Sequence, residues 1–353
     1  MYVGGQYSLA VFGIGRFTTP PSIGPTNYSF TSSLAVTITE TESGATVRYT
    51  LDGSAPSINS PSYTEPFVLT NTTLVQARAF RPNSTPSPVA SAAFGLVSCA
   101  YEAAVSRAAP VAYWRFNEAA PNPAYDYAGG QHGRYGLGCV SGIAGPQGPE
   151  FPGFETNNLA VQFSGLTPPS YVLVPALNLD SDSVTITAWV NPYGSQVPYA
   201  GLFIAAWGSV PGLSYTLGDQ LGYIWNGNTT WQFQSGLEVP TNQWSFVAVV
   251  VEPDQAAVYL CERDGFSSAT NAVEHVSEAW DGVALIGEGP GGSSRVFNGL
   301  LDEVEDALAA LFGGHAENRL RFGRIAHQLG VGAGDDIALQ LNCQRRDVGY
   351  GEV

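Results

Sequence analysis

SVTITAWVNP, residues 183–192, is the stretch from which the fold of the chain can be inferred. Its even-numbered residues from Val184 to Val190 are all apolar, and the odd-numbered residues between them are two threonines and Trp189. An alternation with period two, in a segment rich in β-branched and aromatic residues, predicts a half-buried sheet strand.

Six further short segments have the same character, and each is bounded by turn-forming residues such as Gly, Pro, Asn, Asp or Ser. They are LAVQF (159–163), YVLVP (171–175), LFIAAW (202–207), WSFVAVVV (244–251), AAVYL (256–260) and VALIG (283–287). Because no long helical period precedes residue 303, we expect an all-β protein whose apolar faces are buried between stacked sheets.

The charge of the chain restricts its partners. All fourteen basic residues are arginine, there are thirty acidic residues, and the net charge is −16. A nucleic-acid partner is disfavoured because phosphate binding requires clustered basic residues, and an anionic membrane surface is disfavoured for the same reason. No apolar run reaches the roughly 18 residues of a spanning helix, so membrane insertion is not expected. The polar, lysine-free composition suits a secreted or cell-surface protein.

The chain is expected to begin with an isolated strand. Residues 1–20 open with MYVGGQYSLAVFGIG, which lacks a basic segment and contains too many Gly and Tyr for a signal peptide. We interpret it as a strand whose partners are missing, and therefore expect the chain to be a piece of a longer secreted protein. The three prolines of FTTPPSIGP (17–25) predict an extended linker.

Residues 21–97 are predicted to form a small β-sandwich. Its motif residues are Gly44, Tyr49, Thr50, Asp52, Gly53, Pro56, Tyr63, Pro66 and Ala77. With them, GATVRYTLDGSAP (44–56) and LVQARAF (74–80) resemble the β-sandwich at the C-terminus of chitobiase and β-hexosaminidase, which also occurs beside fucosidases. That family implies an accessory module without catalytic residues. Asp52 is expected to bind the amides of a tight turn.

Residues 98–304 are predicted to form a second, larger sandwich. CAYEAAVSRAAP (99–110) predicts a short helix before it. The strongest motifs are YWRFNE (113–118), VTITAWVNP (184–192), QWSFVAVVV (243–251) and FNGLLDEV (297–304). In this order they resemble a laminin-G-like, concanavalin-type jelly roll, which implies two stacked antiparallel sheets.

Residues 305–353 depart from that family. They contain five of the fourteen arginines and no Trp. Five apolar residues are compatible with two weak helices separated by Gly313-Gly314: Leu308, Leu311, Phe312, Leu320 and Ile325. We expect a weakly helical or disordered tail. It is either foreign to the domain, through a shifted reading frame, or a genuine extension.

The acidic cluster DEVED (302–306) is the first candidate for chemistry. Glycosidases of concanavalin-type folds use paired carboxylates, and Glu303 and Glu305 would share a strand face. However, the E-x-D-x-E spacing is absent, and the resemblance places Asp302 and Glu303 in a structural closing strand. No Ser-His-Asp grouping, P-loop or H-E-x-x-H motif is present either. We therefore expect no catalytic residue.

Calcium is the only cofactor that the sequence suggests. Laminin-G-like domains often hold it with carboxylates and carbonyls at the sandwich rim. The resemblance therefore makes Asp180, Asp182 and Asp302 candidate ligands. The alternative is that they are solvated surface carboxylates.

The tryptophans supply the candidate binding site. Trp225 and Trp231 bracket a polar loop in which Asn226 and Asn228 could bond sugar hydroxyls, and a glycan ring can stack on an exposed indole. The alternative is a hairpin with two cross-strand aromatic residues. Three other tryptophans are predicted to be core residues: Trp114, Trp189 and Trp244.

The four cysteines are Cys99, Cys139, Cys261 and Cys343. The absence of a C-x-x-C pair makes a zinc site unfavourable. A single Cys99–Cys139 disulfide and four free thiols both remain open.

These observations favour a non-catalytic extracellular module of a larger bacterial surface or secreted protein, which binds a polysaccharide or a surface glycoprotein in adhesion. One alternative is a pair of accessory modules of a polysaccharide-degrading enzyme whose catalytic domain lies outside this chain. The other alternative is that the chain is a purely structural spacer. Fold resemblance alone does not choose among them.

Overall fold

The computed structural model describes residues 18–26, 28–118, 123–164, 170–206, 210–225, 229–262, 265–291 and 294–308. Regular structure in these ranges is almost entirely β, which confirms the predicted fold class. The chain divides into two compact units, Met1–Phe94 and Gly95–Val353, so the division falls just before the predicted boundary. The predicted N-terminal strand lies outside the described residues. No helix in the described part of the chain is long and apolar enough to cross a membrane.

The first unit is an antiparallel sandwich. Its strands are β1 (Ser22–Gly24), β2 (Ser29–Phe30), β3 (Leu34–Thr39), β4 (Thr46–Thr50), β5 (Phe67–Leu69), β6 (Thr73–Phe80) and β7 (Ala90–Leu96). They form a three-stranded sheet in the order β1-β3-β5 and a four-stranded sheet in the order β2-β7-β6-β4. Val75, Ala77 and Ala79 of β6 are fully buried. Asp52 accepts hydrogen bonds from the amide and hydroxyl of Ser54 at 3.0 and 2.6 Å, so it stabilises the turn as expected.

The described part of the second unit contains one α-helix, α1 (Ala100–Ala108), and a larger set of strands. The strands are β8 (Ala112–Trp114), β9 (Arg134–Tyr135), β10 (Val140–Ala144), β11 (Leu159–Ser164), β12 (Val172–Val174), β13 (Val184–Pro192), β14 (Gly201–Ala205), β15 (Gly212–Tyr215), β16 (Leu221–Ile224), β17 (Ser245–Glu252), β18 (Gln255–Glu262), β19 (Gly265–Asn271), β20 (Ala284–Ile286) and β21 (Asn298–Leu308). A single 3₁₀ turn, Thr230–Gln232, follows β16.

These strands form the predicted jelly-roll sandwich. The eight-stranded sheet has the order β10-β11-β21-β13-β17-β18-β19, with β8 also paired to β21, and the six-stranded sheet has the order β16-β15-β14-β20-β12-β9. The even-numbered residues of β13 belong to one continuous apolar core, in which Trp114 lies against Phe203 with ring centroids 5.6 Å apart. The alternation in SVTITAWVNP therefore predicted the core face of this central strand.

Trp189 packs on the other face of the same sheet. It is 3% exposed, and the Tyr101 ring of α1 and the Phe154 ring meet it edge-on at 6.4 and 5.4 Å. Trp189 and Trp114 are buried as predicted. Trp244 is only partly buried, so its assignment to the core is wrong.

An ion cluster lies beside these aromatic rings. Arg115 pairs with Glu102 of α1 at 3.1 Å, with Glu303 of β21 at 3.3 Å, and with Glu155. The Tyr113 hydroxyl donates a hydrogen bond to Glu303. Burial raises the pKa of Glu303 to about 8, although the Arg115 charge and the Tyr113 hydrogen bond lower it. Burial also raises the pKa of Asp302, and the neighbouring Glu303 raises it further.

Strand β21 continues beyond the predicted end at Val304. Its register against β13 shifts between Thr187 and Trp189, and Glu303 has a φ of 51°, as in a β-bulge. Beyond the bulge, Glu305 still faces Thr187 of β13 and faces Tyr113 of β8. Because the strand has a partner on each side, it extends to Leu308, and the predicted helical conformation of Leu308 is wrong. The rest of the predicted tail lies outside the described residues.

The cysteines show no disulfide among the described residues. Cys99, Cys139 and Cys261 are free thiols, and Cys343 lies outside the described residues. Cys99 instead begins α1, where its sulfur accepts the amide of Glu102 at 3.5 Å.

Replacing Tyr101 with alanine should destabilise the second unit strongly. Tyr101 is fully buried and stacks on Phe154 at 4.5 Å, so the change leaves a cavity under α1. We expect a loss of about 3–5 kcal/mol in unfolding free energy, as for other large aromatic truncations. Tyr193→Ala, at a side chain that is 39% exposed, is the control and should cost about 1 kcal/mol or less. Equal losses in urea unfolding of the two variants would contradict this packing role for α1.

Glu303→Gln should reduce the pH dependence of stability. With a pKa of about 8 when folded and an ordinary value near 4.5 when unfolded, Glu303 keeps a proton in the folded state that the unfolded state releases. Its contribution to unfolding free energy is therefore complete below about pH 4.5 and is lost as pH rises toward 8, by at most about 1.4 kcal/mol per pH unit. The variant should show a shallower decline in urea unfolding between pH 5 and 8. The exposed Glu238 supplies the control, Glu238→Gln, and an unchanged slope in Glu303→Gln would refute the shift.

Candidate functional site

A pocket of about 350 Å³ lies at the β16 edge of the six-stranded sheet. It is lined by Tyr199, Val210, Ile224, Trp231, Pro290 and Arg295. Ile224 is the last residue of β16, and the other lining residues lie outside the strands. The sheet therefore supplies the base of the pocket, and loops from distant parts of the second unit supply its walls.

Trp231 is the most exposed aromatic ring of this pocket. It lies in the 3₁₀ turn, where the neighbouring Thr230 is buried and its hydroxyl accepts the amide of Trp225 at 2.7 Å. This anchoring of Thr230 leaves the Trp231 side chain 39% exposed. Its ring meets that of Tyr199 edge-on, with centroids 6.0 Å apart. An exposed indole and a phenol ring therefore stand together at the pocket.

Arg295 supplies the charge. Its guanidinium carbon lies 4.9 Å from the centre of the Tyr199 ring, within the range of a cation–π contact. Its Nη1 donates a hydrogen bond to the carbonyl of Pro290 at 2.5 Å. The arrangement combines apolar ring surface with a cation, which is the usual composition of a small-molecule site.

The four residues predicted to bind a glycan have different positions. Trp231 lines the pocket. Trp225 is 1% exposed, and its indole N–H donates to the carbonyl of Val276 at 2.7 Å, so its ring is not available for stacking. Asn226 and Asn228 lie outside the described residues. The glycan-binding role of this segment stays a prediction.

Tyr199 and Arg295 were missed because they are far from Trp231 in the sequence. The glycine-rich stretch GEGPGG (287–292) was a signal for a sharp loop near Arg295, but nothing in its pattern linked it to Trp231. The pairing of β14 with β20 brings the segments of Tyr199 and Arg295 together, and the pairing of β14 with β15 and of β15 with β16 adds the segment of Trp231.

The three aspartates proposed as calcium ligands do not form a single site. Asp180 accepts the hydroxyl of Ser277 at 2.5 Å before the start of β13. Asp302 is buried and pairs with Trp189 of β13. Trp189 lies seven residues after Asp182, so Asp182 and Asp302 are separated by about 20 Å along the strand. In the described ranges, no three His, Cys, Asp or Glu side chains are grouped so as to hold a metal ion.

The carboxyl groups of Asp302, Glu303 and Glu305 are also separate from the pocket. Glu303 is fully buried in the ion cluster, and Glu305 is 3% exposed, with the Thr187 hydroxyl 3.4 Å from its carboxylate. Asp302 accepts hydrogen bonds from Asn158 at 2.6 Å and from the amide of Glu303 at 2.9 Å. These carboxyl groups are engaged inside the protein rather than presented to a substrate.

The comparisons with known proteins match the two units separately. Residues 36–94 match the family model described as Fn3 associated. Residues 167–305, which include every residue that lines the pocket, match the model of the Concanavalin A-like lectin/glucanases superfamily. No curated protein matches the chain.

Several solved structures are similar to the chain at low identity. Domain 4 of AbnA, a GH43 extracellular arabinanase from Geobacillus stearothermophilus, in complex with arabinotriose, is 19% identical with a TM-score of 0.39, over 57% of this chain and 94% of that one. Trypanosoma rangeli sialidase in complex with 2,3-difluorosialic acid is 11% identical with a TM-score of 0.39, over 67% of this chain and 40% of that one. A GH54 α-L-arabinofuranosidase is 15% identical with a TM-score of 0.37, over 60% of this chain and 52% of that one.

This chain therefore spans about half or less of the sialidase and arabinofuranosidase chains. The match to the superfamily model agrees with the two-sheet architecture of the second unit. The second unit has the fold of the concanavalin A-like lectins and glucanases.

Proposed function

We propose that the second unit is a non-catalytic carbohydrate-binding module and that its ligand occupies the pocket between Trp231, Tyr199 and Arg295. The observation that carries the proposal is the 39%-exposed indole of Trp231, which faces a second aromatic ring beside a cavity. An indole and a second aromatic ring at a cavity together offer apolar surface that a ligand can cover.

A sugar ring fits this chemistry. The C–H face of a pyranose or furanose can lie on the apolar indole, while its hydroxyls need polar partners at the edge of the ring. Arg295 is such a partner, since a guanidinium donates in several directions. A volume of about 350 Å³ is at the lower end of the range of ligand pockets, which suits a short glycan segment rather than a long cleft.

The proposal excludes catalysis by the DEVED carboxylates. Glycoside hydrolysis requires two carboxyl groups that flank the scissile bond. Glu303 and Glu305 are buried, and Arg115 Nε lies 3.3 Å from the Glu303 carboxyl group. A glycan in the pocket would be bound without being cleaved.

The first unit has an accessory role in this proposal, and its finer assignment to the chitobiase C-terminal type rests on the turn residues around Asp52. The two units are then modules of a larger secreted or cell-surface protein, which would recognise a polysaccharide or a surface glycoprotein. Accessory modules of a polysaccharide-degrading enzyme would have the same binding chemistry. The two possibilities are distinguished by the neighbouring domains that the gene encodes: a catalytic domain would indicate the enzyme.

Trp231→Ala should weaken carbohydrate binding about tenfold or more, because it removes the stacking surface. Affinity electrophoresis of the full chain in arabinan, galactan, xylan and polygalacturonate gels would identify a ligand, and calorimetry with its oligosaccharide would give the affinity. Leu137→Ala removes a side chain that is 93% exposed just after β9, at the opposite edge of the same sheet, and should leave binding unchanged. If the two variants bind equally, or the wild type binds neither these polysaccharides nor a sialylated glycan, the proposed site is wrong.

We also expect no hydrolysis of the same polysaccharides. The measurement is the release of reducing sugar over a long incubation at several pH values. Turnover that disappears in Glu303→Gln would overturn the proposal of a non-catalytic module.

A further inference from the structure

We propose that the glycan recognised in the pocket is acidic and that Arg295 binds its carboxylate. This inference rests on the proposed function of the pocket and specifies the class of sugar. The occupant would be a uronic-acid residue or a sialic-acid residue, which share a planar carboxylate attached to a sugar ring.

The first argument is that the position of Arg295 is fixed by its loop. Its carbonyl oxygen accepts the amides of Gly289 at 2.9 Å and Gly201 at 3.3 Å, and the next residue, Val296, bridges to Glu288. Gly291, with a φ of 105°, lies close to the guanidinium: a Cβ built there would be 3.5 Å from Arg295 Cζ, at van der Waals contact. These contacts hold the backbone of Arg295 in place, and its side chain is held by the ring contact and the hydrogen bond described above.

The second argument concerns the donors of the guanidinium. One of its faces lies on the Tyr199 ring, and only Nη1 forms a hydrogen bond within the described residues, to Pro290. A guanidinium has five N–H donors in one plane, so most of them remain for a ligand that approaches its edge. A carboxylate matches that planar fork with two parallel hydrogen bonds.

The third argument is electrostatic. In the ranges that the structure describes, Arg295 forms no ion pair, whereas Arg81 and Arg115 each pair with glutamate. Four other described arginines also form no ion pair, so Arg295 is distinguished by its place at the pocket beside two aromatic rings. Charge-assisted hydrogen bonds are about twice as strong as neutral ones, so a carboxylate would gain more from Arg295 than a hydroxyl.

Trp231 completes the site. Its ring stands 6.0 Å from that of Tyr199, on which Arg295 lies, so one sugar residue can stack on the indole while its carboxylate reaches the guanidinium. The stacking surface would accept many sugars. The arginine would then select the acidic ones.

The test is calorimetry of the full chain with matched pairs of ligands: trigalacturonate against its methyl ester, and 3′-sialyllactose against lactose. We expect at least one acid to bind tenfold or more tightly than its neutral counterpart, and the pair that shows the difference identifies the source of the carboxylate. Added salt should weaken that preference, because it screens the ion pair.

Variants separate charge from shape. Arg295→Gln should abolish the preference for the acid, and Arg295→Lys should lose most of it, because lysine keeps the charge but lacks the planar fork. Arg134→Gln is the matched control: this exposed arginine lies in β9, at the opposite edge of the same sheet, and the preference should survive. Melting temperatures of all three variants check that each is folded.

Two results would overturn the inference. If the acidic and neutral ligands bind equally, in a manner that still depends on Trp231, the pocket is a glycan site but Arg295 does not select an acid. If Arg295→Gln retains the full preference for the acid, the carboxylate binds elsewhere. Absence of binding by every ligand, together with no effect of Trp231→Ala on any glycan, would instead refute the proposed function itself.

Discussion

The second unit depends on the hydrogen bonding of β21 to strands from three distant parts of the chain. On one side β21 pairs with β13 along its length, and on the other it pairs first with β11 and then with β8. The β-bulge at Glu303 lies where the neighbour changes from β11 to β8. Strand β21 is the last of the described strands and β8 is the first strand of the second unit. The larger sheet is therefore complete only when these two strands pair.

The same closure prepares the pocket. The loop that leads from β20 into β21 carries Arg295, and its carbonyl accepts the amide of Gly201 at the start of β14. Tyr199 lies just before that strand, so the contact that joins the two loops also sets the arginine over the phenol ring. A rigid scaffold with its polar groups on loops is the usual arrangement of a binding site.

The sequence was sufficient for the features that depend on local pattern. The period of two in β13 predicted its core face, and the turn at Asp52 followed from its residue types. The sequence was insufficient for features that depend on contacts between residues far apart in the chain. Trp225 and Trp231 look equivalent in the sequence, but only the first is covered, by segments that include Val276. The end of β21 was misplaced because its partner β8 lies nearly two hundred residues earlier.

Arg115 and Arg295 differ in how far the stability of the fold explains their positions. Arg115 is 5% exposed and lies among three glutamates, because a buried cation without partners would be very unfavourable. Stability of the fold therefore explains its position completely. Arg295 is only partly buried, so its charge stays in contact with solvent. An ion pair at such a position contributes little to stability, and the fold therefore does not require a carboxylate beside it. Its position over Tyr199, next to an exposed indole, leaves the cation open to the carboxylate of the proposed ligand.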